Sequence, residues 1–198
     1  MAVITKSGAS LIALQSIASN TVVISAVQDV STKLAATVHI HFGRRVATAL
    51  TAAMTFRVEG SSRTSGDGHW YTIFPIGTDI VAVEAEALTG TVAAGQNVLT
   101  LASTTNLTVG DLIYIDNPTI GNSEWGRIKA VSVNTSVTIE DNLLFAQTGS
   151  TIYDGAHIFP PIGLDLSAVR RLRLVCDGSN TGQAVAVEAD IVFADSIE

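Results

Sequence analysis

Apolar and polar residues alternate at period two in short runs along most of this chain, and Gly, Asn, Asp and Ser break the runs. Val, Ile, Thr and aromatic residues fill the apolar positions, which suits a pleated, half-buried surface. The pattern predicts strands over residues 21–27, 36–42, 54–59, 70–74, 80–87, 112–115, 128–133, 136–139, 169–176 and 184–193. No segment carries the three-and-four spacing of an amphipathic helix. Residues 46–53 are Ala-rich and helix-prone, but they lie between Arg44-Arg45 and the strand-like run from Met54, where a strand or a wide loop fits equally well. Many short strands with frequent turn signals indicate a sandwich or a barrel.

The chain divides into three parts. Residues 1–20 are semi-apolar, interrupted by Ser and Gln, and read as an N-terminal arm that adds a strand to a neighbour or lies on a larger surface. Residues 89–155 read as an insertion, a small β-barrel. It opens with a hairpin turning at Gly95 to Asn97, bends at Gly110-Asp111, turns again at Asn134-Thr135 and closes near Tyr153. The flanks, residues 21–88 plus 156–198, have too few strands to cover two faces separately, so they should pair as one antiparallel sandwich with the last strand beside the early ones. Asp177 to Gly182 reads as a polar hairpin loop between the two C-terminal strands, and Pro160-Pro161 as a rigid return from the insert. The expected fold is all-β: an antiparallel, jelly-roll-like β-sandwich with an inserted small β-barrel.

Composition narrows the function. Of 198 residues, 47% are hydrophobic and 15% charged, against about 25% charged in an ordinary soluble protein. Apolar surface in that proportion is expected to be buried between subunits, most simply in a ring or trimer. A net charge of −7 is the wrong sign for gripping nucleic-acid phosphates. No apolar run approaches the roughly 18 residues of a membrane span, and no signal peptide is read at the N-terminus. A single cysteine, Cys176, offers neither a disulfide nor a cysteine metal cluster and reads as a small buried apolar group.

Candidate chemistry is sparse. His39 and His41 share one sheet face and could hold a metal, but lack a third ligand nearby; an interface or hydrogen-bonding role is the plainer account. His69, following Asp67 in a Gly-rich turn, has no activated Ser beside it. Glu84 and Glu86 alternate on one strand, as an acid/base pair or simply a solvated edge. Asp111, Asp116, Glu140 and Asp141 lack the spacing of a calcium loop. Arg44-Arg45 and Arg171 with Arg173 are the tight basic clusters of an acidic chain, suited to an acidic partner surface or to an ordinary solvated face. Trp70 and Trp125 are the candidate stacking platforms for a ligand, with core burial the alternative. No catalytic residue, metal site or cofactor is expected, and the chain is not read as an enzyme.

Two stretches carry a resemblance. The segment from Leu11 through Ser31, then His39-Ile40-His41-Phe42-Gly43-Arg44, Phe56-Arg57-Val58-Glu59 and Gly66-Asp67-Gly68-His69-Trp70-Tyr71, resemble structural proteins of tailed-phage virions. Val109-Gly110-Asp111-Leu112-Ile113-Tyr114-Ile115, with Glu124, residues 128–133 and 137–139, and Leu143-Leu144, is similar to small β-barrel modules of phage head and tail proteins. The resemblance implies a capsid decoration, or cement, protein. Such a protein would be made in the host cytoplasm and seated on the outer capsid surface as a homotrimer that clamps neighbouring major capsid subunits. A tail or baseplate component and a carbohydrate- or receptor-binding module stand as the alternatives.

Overall fold

The structure is a computed structural model and describes residues 4–66 and 69–197. The described chain is built from antiparallel strands, with one short 3-10 turn at Ile120–Asn122. Two sheets form the base. The first orders β1 (Ile4–Ile17), β16 (Val185–Ile197), β4 (Ala35–Arg44) and β13 (His157–Ile158), with β14 (Ile162–Asp165) also on β4. The second orders β2 (Val22–Ile24), β15 (Arg171–Asp177), β5 (Thr55–Ser61) and β6 (Tyr71–Gly77), with β3 (Gln28–Asp29) also on β15. Their apolar faces meet in one core. Val38, Ile40 and Phe42 of β4 and Val187, Ala189 and Ile191 of β16 pack against Phe56 and Val58 of β5 and Leu172, Leu174 and Cys176 of β15. Phe42 and Phe56 meet edge to face across it, with ring centroids 6.4 Å apart.

The period-two pattern explains this directly. On β4, residues 36, 38, 40 and 42 are buried while 35, 37, 39 and 41 are half-buried on the outer face. Cys176 lies in the core, and burial pushes its thiol well above the usual range, which removes it from thiolate chemistry.

A third sheet orders β7 (Ala85–Ala87), β12 (Thr151–Tyr153), β9 (Leu112–Asp116), β10 (Glu124–Ser132), β11 (Ser136–Ile139) and β8 (Val98–Thr100). It curls until its edge strands meet: Leu88 bridges Leu101, and the Thr89 N–H donates to the Thr100 carbonyl at 3.0 Å. Leu99, Ile113, Ile115, Ile128, Val137 and Ile152 fill the interior. The chain's two crossings between base and barrel lie side by side. The Glu84 N–H donates to the Asp154 carboxylate at 2.7 Å, and the Asp154 N–H donates to the Glu84 carbonyl at 3.2 Å.

Several expectations need correction. The N-terminal arm is a strand of the base itself: β1 pairs with β16 along its length and buries Leu11, Ile12 and Ile17. Residues 46–53 form neither helix nor strand, and of residues 80–87 only Ala85–Ala87 is a strand, placed in the barrel's sheet with β12. The turn at Gly95 does not close a hairpin. Val92 bridges Gln147, and β8 pairs with β11. Residues 178–184 likewise make no hairpin loop, because β15 and β16 belong to different sheets and the segment crosses between them.

Candidate functional site

The barrel rests on the outer face of the first sheet, and two small residues make its seat. Gly43 of β4 and Ala186 of β16 are cross-strand partners. Tyr114 of β9 lies on them, fully buried, with Ala156 completing the cluster. A Cβ on Gly43 would stand 2.4 Å from Cγ of Tyr114, so only glycine allows this approach. Beside it, the indole N–H of Trp125 donates to the Phe42 carbonyl at 3.0 Å. Arg45 closes the far side, its Nε 3.0 Å from both carboxylate oxygens of Asp116. Burial pushes the Tyr114 phenol well above its ordinary range, so it serves as a neutral wedge.

Where the barrel overhangs the sheet, a groove of about 400 Å³ opens. His41 and Glu188 are cross-strand partners in it, His41 Nδ1 lying 3.5 Å from the Glu188 carboxylate. Trp125 tilts over His41 with ring centroids 5.2 Å apart. Leu14 and Ile158 line one wall, Leu144 and Phe145 the other. Leu144 is 77% exposed and Phe145 41%, yet their loop is firmly held. The Glu124 carboxylate accepts the N–H groups of Leu144 at 2.7 Å and Phe145 at 3.0 Å. The buried Gln147 amide donates to Glu124 and to the Asn122 carbonyl, both at 2.9 Å. Its oxygen accepts from Asn117 and Ser150, again at 2.9 Å. A satisfied buried network of this kind fixes geometry. Here it holds two apolar side chains out over a groove.

The sequence-selected residues are distributed unevenly. His41 and Trp125 meet in the groove. His39 is half-buried on the same outer face, opposite Asp190, outside the groove lining. Arg44 is overturned as a surface contact: it is 0% exposed. Its guanidinium donates to the Val81 carbonyl at 2.8 Å and to the Thr48 carbonyl, tying together the segments on either side of β5 and β6. Burial lowers its pKa, while the charges of Asp79 and Asp154 oppose the shift. Arg45 is held at the junction by Asp116. Arg173 is bound to Glu59 at 2.8 Å, and Arg171 donates to the carbonyls of Arg63 at 2.8 Å and Gly66 at 2.6 Å. Both guanidinium groups cover the Trp70 ring, at 4.2 Å for Arg173 and 5.0 Å for Arg171. Trp70 therefore stacks on arginine within its own chain rather than offering a free face there. Arg173 is thus compensated by Glu59, whereas Arg171 is held by neutral carbonyls and has no acidic partner among the described residues.

The remaining candidates stay apart. Glu84 accepts from the Asn106 amide at 2.7 Å, Asp111 caps Thr108, and Asp67 lies outside the described residues. Among the described residues no group of three His, Cys, Asp or Glu side chains converges. Sequence reasoning missed Glu124, Gln147 and Asn117 as loop-holding residues, because their hydrogen bonds join positions 20 or more residues apart.

No known protein family matches the chain, and no curated protein does. Among solved structures, it is similar to the tailspike protein gp49 of Pseudomonas phage LKA1, at 31% identity over 36% of this chain and 14% of the tailspike, with a TM-score of 0.28. It is also similar to a chain of infectious bursal disease virus, Gt strain, at 10% identity over 98% of this chain and 41% of that one, with a TM-score of 0.26. The VP2 protein of the same virus, solved as T=1 particles, gives 10% identity over 98% and 41%, with a TM-score of 0.24. The chain thus spans less than half the length of each of these.

Proposed function

We propose that this chain is a non-enzymatic virion structural protein and, more narrowly, a capsid decoration protein. In this reading it self-associates, most simply as a homotrimer, sits on the outer capsid surface and clamps neighbouring major capsid subunits. The observation that carries the reading is the state of the second sheet's two edges. Val22 and Ile24 are exposed on β2 at one edge, and Tyr71 and Phe74 on β6 at the other. A free edge with large apolar side chains is a template for contact with another chain, and proteins that stay monomeric blunt such edges. Here the backbone edges are blunted, β2 by its three-residue length and β6 by Pro75 and a register shift, so the contact offered is the exposed apolar side chains themselves, on a surface short of charge.

The mode of action is mechanical. Contacts of modest strength add by multivalency when a symmetric oligomer touches several subunits of a lattice at once. The barrel, pinned through Tyr114 and Arg45, moves with the base and widens the footprint. The resemblance of the His39 to Arg44 and Val109 to Ile115 stretches to phage virion proteins supports the same assignment.

Light scattering of the purified chain, together with co-sedimentation on expanded and mature phage heads, tests it. The expected result is a defined oligomer that saturates on heads. A monomer that leaves heads bare overturns the reading, and selective binding to tails assigns the chain to tail or baseplate instead.

A further inference from the structure

Resting on the self-association just proposed, we infer that the groove between base and barrel receives the Lys129-to-Val133 segment of the β10–β11 hairpin from a second copy of this chain. The groove's lining holds Glu188 and Glu124 but no Lys or Arg. The Glu124 oxygens are occupied by the Leu144 and Phe145 N–H groups and by Gln147. Glu188 is different. Its carboxylate has His41 at 3.5 Å as its ion-pair contact and forms no hydrogen bond among the described residues. With Trp125 and Phe145 alongside, the groove suits a cation on an aliphatic stem followed by an apolar group.

The same chain displays that combination along the outer half of the β10–β11 hairpin, with Lys129 at the register shift in mid-strand and Val133 four residues on. Lys129 is exposed and has no ion-pair partner among the described residues, and Val133, 78% exposed, stands at the turn. That turn is rigid. The Asn134 N–H donates to the Thr104 hydroxyl at 2.9 Å, the Thr135 N–H to the Ser132 carbonyl at 3.0 Å, and the Leu101 N–H to the Thr135 carbonyl at 2.9 Å. Trp125 and Val133 are eight residues apart along an extended segment, roughly 26 Å at the rise of a β-strand, so a molecule's own Val133 turn cannot enter its groove. A groove built around the start of β10 and a donor segment that runs from mid-strand to the turn are different surfaces, so their contact is heterologous, head to tail. Such contacts close into rings when the rotation permits.

The experiment uses the full chain and two charge reversals, Glu188→Lys and Lys129→Glu, singly and together, with size and mass followed by chromatography and light scattering. Each single variant should weaken association by about tenfold or more, as for a close charge pair at an interface, and the double variant should recover it. Circular dichroism checks the fold of each. Val133→Asp, at a side chain mostly in solvent, provides a second route should a reversal fail to fold, and it too should dissociate the oligomer. Singles that associate like the parent, or a double variant no better than the singles, overturn the docking and leave the oligomer standing. A parent chain monomeric at about 100 μM, well above weak-complex dissociation constants, overturns docking and self-association together.

Discussion

Asp177 ends β15 by folding its carboxylate back onto its own turn. It accepts the Ser179 hydroxyl at 2.6 Å and the Ser179 N–H at 3.1 Å, and takes a longer contact from Arg57 at 3.3 Å. Asp29 and Asp165 repeat the Asp-x-Ser device, accepting the N–H of Ser31 at 3.0 Å and of Ser167 at 2.9 Å. Hydrogen bonds from Ser179, then Arg57, hold the Asp177 pKa below its ordinary value. A carboxylate with a lowered folded-state pKa contributes stability above its unfolded value, about 3.9, and loses it as pH falls through the folded value. Denaturant titrations between pH 7 and pH 2 should therefore show Asp177→Asn less stable than the parent at neutral pH, with the gap narrowing below about pH 4. A gap that stays constant with pH would assign the turn's stability to something other than this ionised group. At this scale the sequence reveals much: the Asp-Gly-Ser turn and the shared face of Arg171 and Arg173 are readable from spacing. That Trp70 and Glu59 would occupy those arginines is not, since Glu59 meets Arg173 only once β5 and β15 are in register.

The first strand shows where pattern reading fails at the scale of elements. Ile4–Ile17 pairs with β16 through register shifts at Thr5/Lys6, Ser10/Ile12 and Ile12/Gln15. Each shift breaks strict alternation, so Leu11 and Ile12, adjacent in sequence, are both buried. A segment that changes face in mid-strand looks like an irregular arm. Its energetics are those of a core element: full burial of Leu11, Ile12 and Ile17 contributes about 2 kcal/mol each, besides the ladder to β16. Removing residues 1–17 should therefore abolish the cooperative thermal transition and expose hydrophobic dye-binding surface. A truncated chain that melts like the parent would return the segment to the status of a detachable arm. The β4, β5, β11, β15 and β16 strands, by contrast, keep an unbroken period over most of their length and are legible from the sequence.

For the whole molecule, the decisive contact is the small-residue seat under Tyr114. Neither Gly43 nor Ala186 announces itself in the sequence; each looks like a weak position in a good strand, and the cavity they make exists only when β4 and β16 lie side by side. Gly43→Val should lift the barrel off the sheet, because its side chain would occupy the volume of the tyrosine ring, at a cost of about 1–3 kcal/mol or more for overpacking. Calorimetry should then resolve two transitions where the parent gives one, since base and barrel each have their own core. A single, merely lowered transition would mean that Trp125 and Arg45 suffice to couple them. The groove was partly legible, through His41 and Trp125; its opposite wall was not, because it depends on Glu124 reaching across to the Leu144 and Phe145 backbone.

The adjacency of Glu84 and Asp154 at the neck has a consequence for how such a chain can diversify. Two crossings zipped to each other by backbone and carboxylate hydrogen bonds form a socket at the foot of the inserted barrel. A module whose ends lie side by side could be spliced there, provided it also fills the Gly43–Ala186 seat and offers Arg45 a carboxylate. The base could thus remain constant while evolution, or an engineer, exchanges the face it displays.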